Sequence, residues 1–162
     1  MAIRFQTLVF TEQDFGHVVD LLRDKQQTET LNYFVNIEPD VEEGEVHTGS
    51  LFWKMFSSRG PMVPKFTWVP SYVKKQQKIQ AQIGIMHPVG ASAIQRLRDF
   101  QVEIPSKWHI QQDHPKRGMV ISLPEEYEDE EVVLLATRSL RALSPFDFSK
   151  EYRASIPLYK KA

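Results

Sequence analysis

The stretch Trp108–Leu143, WHIQQDHPKRGMVISLPEEYEDEEVVLLATRSLRAL, holds the two patterns that decide the fold. Trp108 to Gln112 and Gly118 to Leu123 are short runs of branched and apolar residues that read as strands. Between them Asp113-His114-Pro115-Lys116-Arg117 has the turn-forming composition of a hairpin loop, and Gly118 is free to take a positive φ. Pro124 then opens the strongest helical pattern in the chain. Val132, Leu135, Ala136, Ser139 and Leu143 recur on one face, and Val133, Leu134 and Leu140 widen it, so this helix is expected to be central. Acidic residues crowd it between Glu125 and Glu131, where the helix dipole favours anions. Arg138 and Arg141 lie toward the end that favours cations. Ser144-Pro145 stops it.

Working outward, Ile3–Phe10 alternates and reads as a strand. Thr11 and Asp14 resemble a capping box. Phe15, Val18, Val19 and Leu22 at helical spacing predict a helix from about Glu12 to Gln27, and Leu31–Ile37 predicts a second strand. Glu38–Gly49 reads as an acidic loop, and Leu51–Ser57 as a short helix ended by Arg59-Gly60-Pro61. Phe66–Val69 suggests a strand whose flanking Pro64 and Pro70 confine it to an edge or to irregular ends. Lys74–Gln82 reads as a polar loop and Ile83–Met86 as a short apolar run. Ser92 is placed to cap a helix lined by Ile94, Leu97 and Phe100. Tyr152–Tyr159 predicts a last strand, marked as an edge by Pro157. The expectation is one α+β domain over residues 1–162, with a mixed or antiparallel sheet packed by about four helices.

Composition narrows the function classes. The chain has 162 residues, 41% hydrophobic and 25% charged, with a formal charge of -1. Enough large apolar side chains are present to build a core, which excludes a disordered chain. There is no cysteine, which removes disulfides, thiolate metal sites and a cysteine nucleophile. No basic start leads into an apolar run, and the longest such run, Val132–Ala136, falls far short of the roughly 20 residues a membrane helix needs. The expectation is a soluble, cytoplasmic protein with no membrane partner. Charge is uneven: residues 1–60 carry net -5, residues 61–120 net +6 and residues 121–162 net -2. The isoelectric point near 6.5 counts against nucleic-acid binding through a dominant basic field.

One resemblance rests on Arg59-Gly60-Pro61, Thr67-Trp68-Val69-Pro70, Asp113-His114-Pro115-Lys116-Arg117-Gly118 and the Leu-rich helix that follows. Over residues 59–141 the chain resembles a family of uncharacterised actinobacterial proteins of unknown function. The resemblance implies a bacterial cytoplasmic protein and brings no catalytic residues.

Candidate chemistry is sparse. Asp113 beside His114 pairs a carboxylate with an imidazole, and Lys116 and Arg117 supply cations for an anion. His87 precedes a Gly-bearing turn into a helix, a place where backbone N–H groups hold phosphate. Each also has a plainer reading, as a solvated turn or a strand-to-helix link. His87, His109 and His114 lack metalloprotease spacing, so no metal and no cofactor is expected. Lys65, Trp68, Tyr72, Lys74, Lys75 and Lys78 interleave aromatics and cations as single-strand binders do, although Trp68 also suits a core. Phe52, Trp53 and Phe56 are interface candidates, since one short helix cannot bury Phe52 and Trp53 on the same side. The expectation is a non-catalytic binding or interaction protein, with a homodimer as its simplest assembly. The alternative is an enzyme or small-ligand protein with an anion site near residues 113–118. Sequence names neither the substrate nor the partner.

Overall fold

The structure is a computed structural model that describes residues 4–26, 33–41, 63–90 and 93–158. Its elements are β1 (Arg4–Thr11), α1 (Gly16–Gln26), β2 (Val35–Pro39), β3 (Lys65–Val69), β4 (Tyr72–Lys74), β5 (Gln77–Ile79), β6 (Gln82–Met86), α2 (Ala93–Asp99), β7 (His109–His114), β8 (Gly118–Ser122), α3 (Asp129–Leu143) and β9 (Glu151–Leu158). Seven strands form one antiparallel sheet in the order β1-β9-β2-β3-β6-β8-β7, and β4 and β5 form a separate hairpin.

Alternation builds the inner face. One row runs through Val35, Trp68, Ile83, Ile121 and Ile110 across β2, β3, β6, β8 and β7. The next runs through Leu8, Ala154, Ile37, Phe66, Ile85 and Met119, and ends on Asp113. All but Leu8, Ile110 and Asp113 are buried. Directly opposed apolar side chains lie close enough to pack, which makes such rows the units of sheet stability. The helix α3 covers them: Val132, Val133, Leu135, Ala136, Leu140 and Leu143 are buried, and it packs on α1, α2, β2 and β3. The central helix expected from the sequence is thus in place, but it starts at Asp129 rather than after Pro124.

The architecture overturns the expected sheet with about four helices. The described residues contain three helices against a seven-stranded antiparallel sheet and a two-stranded one, so the domain is mostly sheet. The expected helix 51–57 lies outside the described residues. The polar run Lys74–Gln82, read as a loop, contributes strands. Lys75 and Gln76 take positive φ of 49° and 65°, and two such residues make the tight turn that matches strand twist. Polarity hid this hairpin, because its strands are largely solvent-facing and need no apolar face.

The prolines also read differently in three dimensions. β9 is internal, between β1 and β2. The β2 pairing covers only Tyr152–Ser155, so Pro157 sits beyond it and no ladder hydrogen bond is lost. β3 is likewise internal, with Pro64 and Pro70 just outside its ends. Phe100, expected on the buried face of its helix, is 47% exposed under the Arg96 guanidinium, 4.6 Å from the ring centre.

Candidate functional site

A bulge decides what β7 presents. Its register with β8 shifts between Ile110 and Gln112. Strict alternation from Ile110 would turn Asp113 to the outer face. The extra residue reverses the parity, so Asp113 instead ends the inner row beside Met119. Two strands away, His87 follows the end of β6, two residues beyond the inward-facing Ile85, and is 1% exposed. The turn after it packs on the hairpin tip: a Cβ on Gly90 would lie 4.0 Å from Cβ of Pro115.

The structure therefore brings together His87 and Asp113, from segments 26 residues apart. Both ring nitrogens of His87 and Oδ1 of Asp113 are buried without a hydrogen-bond partner among the described residues. Burial lowers the His87 pKa from its ordinary value, and the Asp113 carboxylate opposes that shift more weakly. His87 is therefore held toward its neutral form.

His114 has a different job. Its Nδ1 accepts the backbone N–H groups of Lys116 (3.1 Å) and Arg117 (3.2 Å), which ties the turn. That nitrogen carries no proton while it accepts them. Lys116 and Arg117 are exposed at the tip, while His87 lies inside with a carboxylate beside it. This end of the sheet offers a buried donor and acceptor to a neutral polar group; Asp113 works against an anion next to His87. Trp68 is fully buried, which withdraws it from any stacking surface. Phe52, Trp53 and Phe56 lie outside the described residues. Among the described residues, no three of His, Asp and Glu group as metal ligands do.

The pH dependence follows with a definite sign. A histidine whose folded pKa lies below its unfolded value binds fewer protons in the fold. Its stability contribution is complete above the unfolded value and falls as pH drops from there toward the folded pKa. Thermal melts at pH 7.5, 6 and 5 are expected to show stability declining on acidification, with His87→Gln flattening that slope. An unchanged slope in the variant would mean that His87 is not the group responsible.

A second site was not visible in the sequence. The connector after α2 (residues 100–108) turns on Gln101, which has φ of +56°. The Val102 N–H donates to the Leu97 carbonyl and the Gln101 N–H to the Arg98 carbonyl, both at 2.9 Å. This is the Schellman ending, here without its usual glycine, and Val102 and Leu97, both buried, supply its apolar contact. The reversal carries residues 103–106 back past α3 and opens a groove of about 1290 Å³ between α2, the connector, β7 and α3. Ile94, Ile104, Ile110 and Leu134 line it and are only partly buried. Arg98 and Glu103 come from one side, Glu131 and Arg138 from α3. These residues sit on four separate elements, so no local pattern in the sequence marks them.

Comparison with family models, with curated proteins and with solved structures returns no match to this chain.

Proposed function

We propose that this chain is a non-catalytic binding protein of the cytoplasm that acts as a homodimer and takes an amphipathic segment of a partner protein in the α2–α3 groove. The observation that carries this reading is the groove's lining. A set of partly buried branched side chains forms its apolar part, and each side contributes one Arg and one Glu. Small-ligand pockets occupy roughly 300–1,000 Å³ and enclose most of the ligand, whereas this groove is larger and open on one side. Balanced charge gives no preference for an anion. It suits a peptide carrying apolar anchors one helical turn apart with both signs of charge at its margins.

The test is selection from a displayed peptide library on the purified protein. Peptides with apolar residues at i, i+3 or i+4, and i+7 are expected to be enriched. Leu134→Glu places a charge in the groove without touching a fully buried position, and should weaken their binding about tenfold or more. Selected peptides without that pattern, or with equal affinity for the variant, would overturn the assignment.

A second reading is favoured by one observation, the buried and unpartnered His87–Asp113 neighbourhood. It makes this end of the sheet a site for a small neutral polar ligand. Native mass spectrometry of freshly purified protein would show a stoichiometric mass excess, lost on denaturation and absent in His87→Gln. Bare chain masses throughout would sink this second reading.

A further inference from the structure

The two edges of the seven-stranded sheet are built differently. β7 is short, broken by a bulge, and carries His109, Asp113 and His114. These are the devices by which edge strands avoid pairing with other chains. β1 has none of them. Its eight residues, RFQTLVFT, hold one charge, Arg4, and no proline, and its register on β9 is unbroken from Arg4 to Thr11. Phe5 and Val9 project from its outer face, 46% and 52% exposed. Among the described residues its free side is bridged at Thr11 alone, by Asp14, and no strand pairs with it from Arg4 to Phe10.

The direction of its backbone groups follows from neighbouring hydrogen bonds. The N–H and C=O of Thr11 are bonded to Asp14, at 3.3 and 3.2 Å, and not to β9. The Glu151 carbonyl, opposite Thr11, accepts from Asp40 on the β2 side. In an antiparallel strand the N–H and C=O of one residue point the same way, alternating along the chain. Phe5, Thr7 and Val9 therefore aim their backbone groups at the free edge, and Arg4, Gln6, Leu8 and Phe10 aim theirs at β9.

We propose that a second copy of this chain pairs with β1 in antiparallel fashion, about a two-fold axis through Thr7, to make one continuous sheet across the dimer. This rests on the homodimer reading above and gives it an interface. The sequence is self-complementary in this register. Thr7 faces Thr7 of the second copy, and Phe5 faces Val9, twice by symmetry. The two exposed apolar residues cover each other, and all three residues are those with unpaired backbone groups, so the opposed pairs are hydrogen-bonded ones. A shift that centres the axis on Leu8 instead sets Phe5 against Thr11 and Val9 against Thr7. The axis through Thr7 is therefore the better match.

Sedimentation velocity of the full chain over a range of concentrations tests this. The wild type is expected to be dimeric. Val9→Lys should weaken dimerisation about tenfold or more by removing both Phe5–Val9 contacts and placing charge on the edge. Val73→Lys is the control, since Val73 is equally exposed at 50% but lies on β4, and should leave the dimer unchanged. The chain has no cysteine, so Thr7→Cys gives a clean readout: hydrogen-bonded partners stand about 5.5 Å apart at Cα, within disulfide reach. Mild oxidation should link Thr7→Cys dimers and leave Leu8→Cys unlinked. A wild type that is monomeric at every concentration would overturn both this interface and the dimer reading. A dimer indifferent to Val9→Lys and unlinked through Thr7→Cys would overturn the β1 interface alone, leaving a dimer built elsewhere.

Discussion

Gly118→Ala is expected to cost at least about 3 kcal/mol, and Gly84→Ala next to nothing. Gly118 opens β8 with φ of +74°, a conformation that strains any residue carrying a Cβ. Space is denied as well. A Cβ there would run into the backbone carbonyl oxygen of Ile85, with the Ile85 carbonyl carbon at 3.0 Å and Sδ of Met86 at 3.1 Å. Met86 can swing away, but the Ile85 backbone cannot, because it belongs to the β6–β8 ladder. Backbone strain and overpacking each cost roughly 1–3 kcal/mol, and here they act together. In a chain of this size that is a fall of roughly 6–12 °C in Tm. Gly84 is the control on the same strand pair: nothing lies within 4 Å of the Cβ it would gain, and alanine is the better strand former. Equal Tm values for the two variants in a thermal melt would mean that the 113–118 hairpin does not close against β6 as described.

Trp68→Ala carries the second large effect, about 3–5 kcal/mol. Trp68 is fully buried at the middle of the inner row, between Val35 and Ile83, under α3. The substitution removes the largest fully buried side chain and leaves a cavity that the sheet on one side and the helix on the other cannot collapse into. Against a total stability of roughly 5–15 kcal/mol, such a loss leaves a marginal fold. Trp68→Phe separates packing from polarity. It keeps most of the volume but removes the Nε1 donor that meets the Tyr127 hydroxyl at 3.3 Å, and should cost about 1–2 kcal/mol. Urea denaturation of both variants measures the difference. A Trp68→Ala loss below about 1 kcal/mol would place Trp68 at the surface, where the alternation of its basic neighbours first offered it as a stacking residue.

The local elements were legible where one chemical pattern dominates a stretch of chain. The hairpin around residues 113–118, the positive φ of Gly118 and the buried face of α3 follow from turn chemistry and from apolar spacing, both properties of consecutive residues. The same reasoning separated Trp68 as a core residue from its exposed lysine neighbours. It failed where a signal was absent or had two meanings. The β4–β5 hairpin carries no apolar face, so polarity read as loop. Pro157 forbids one hydrogen bond, and whether that bond was needed depended on how far β2 extends along β9.

The candidate sites show the same division more sharply. His87 and Asp113 were each visible as ionisable residues near turns. Their meeting required β6, β8 and β7 to be adjacent and a single extra residue near Gln111 to turn Asp113 inward, and neither strand order nor a bulge is written in residue spacing. Lys116 and Arg117, three and four residues beyond Asp113, are exposed at the hairpin tip, while His87 is buried. The groove depends on Gln101 in a conformation that glycine usually takes, so the chain reversal beside α3 had no signature. What the sequence determined by itself was the material: a chain able to bury a core, an α+β alternation, and one strand, β1, without charge enough to guard it. The tertiary structure alone decided that β1 stands at an edge, because edge and centre are properties of strand order. Strand order is fixed by which apolar rows pack together across the whole sheet.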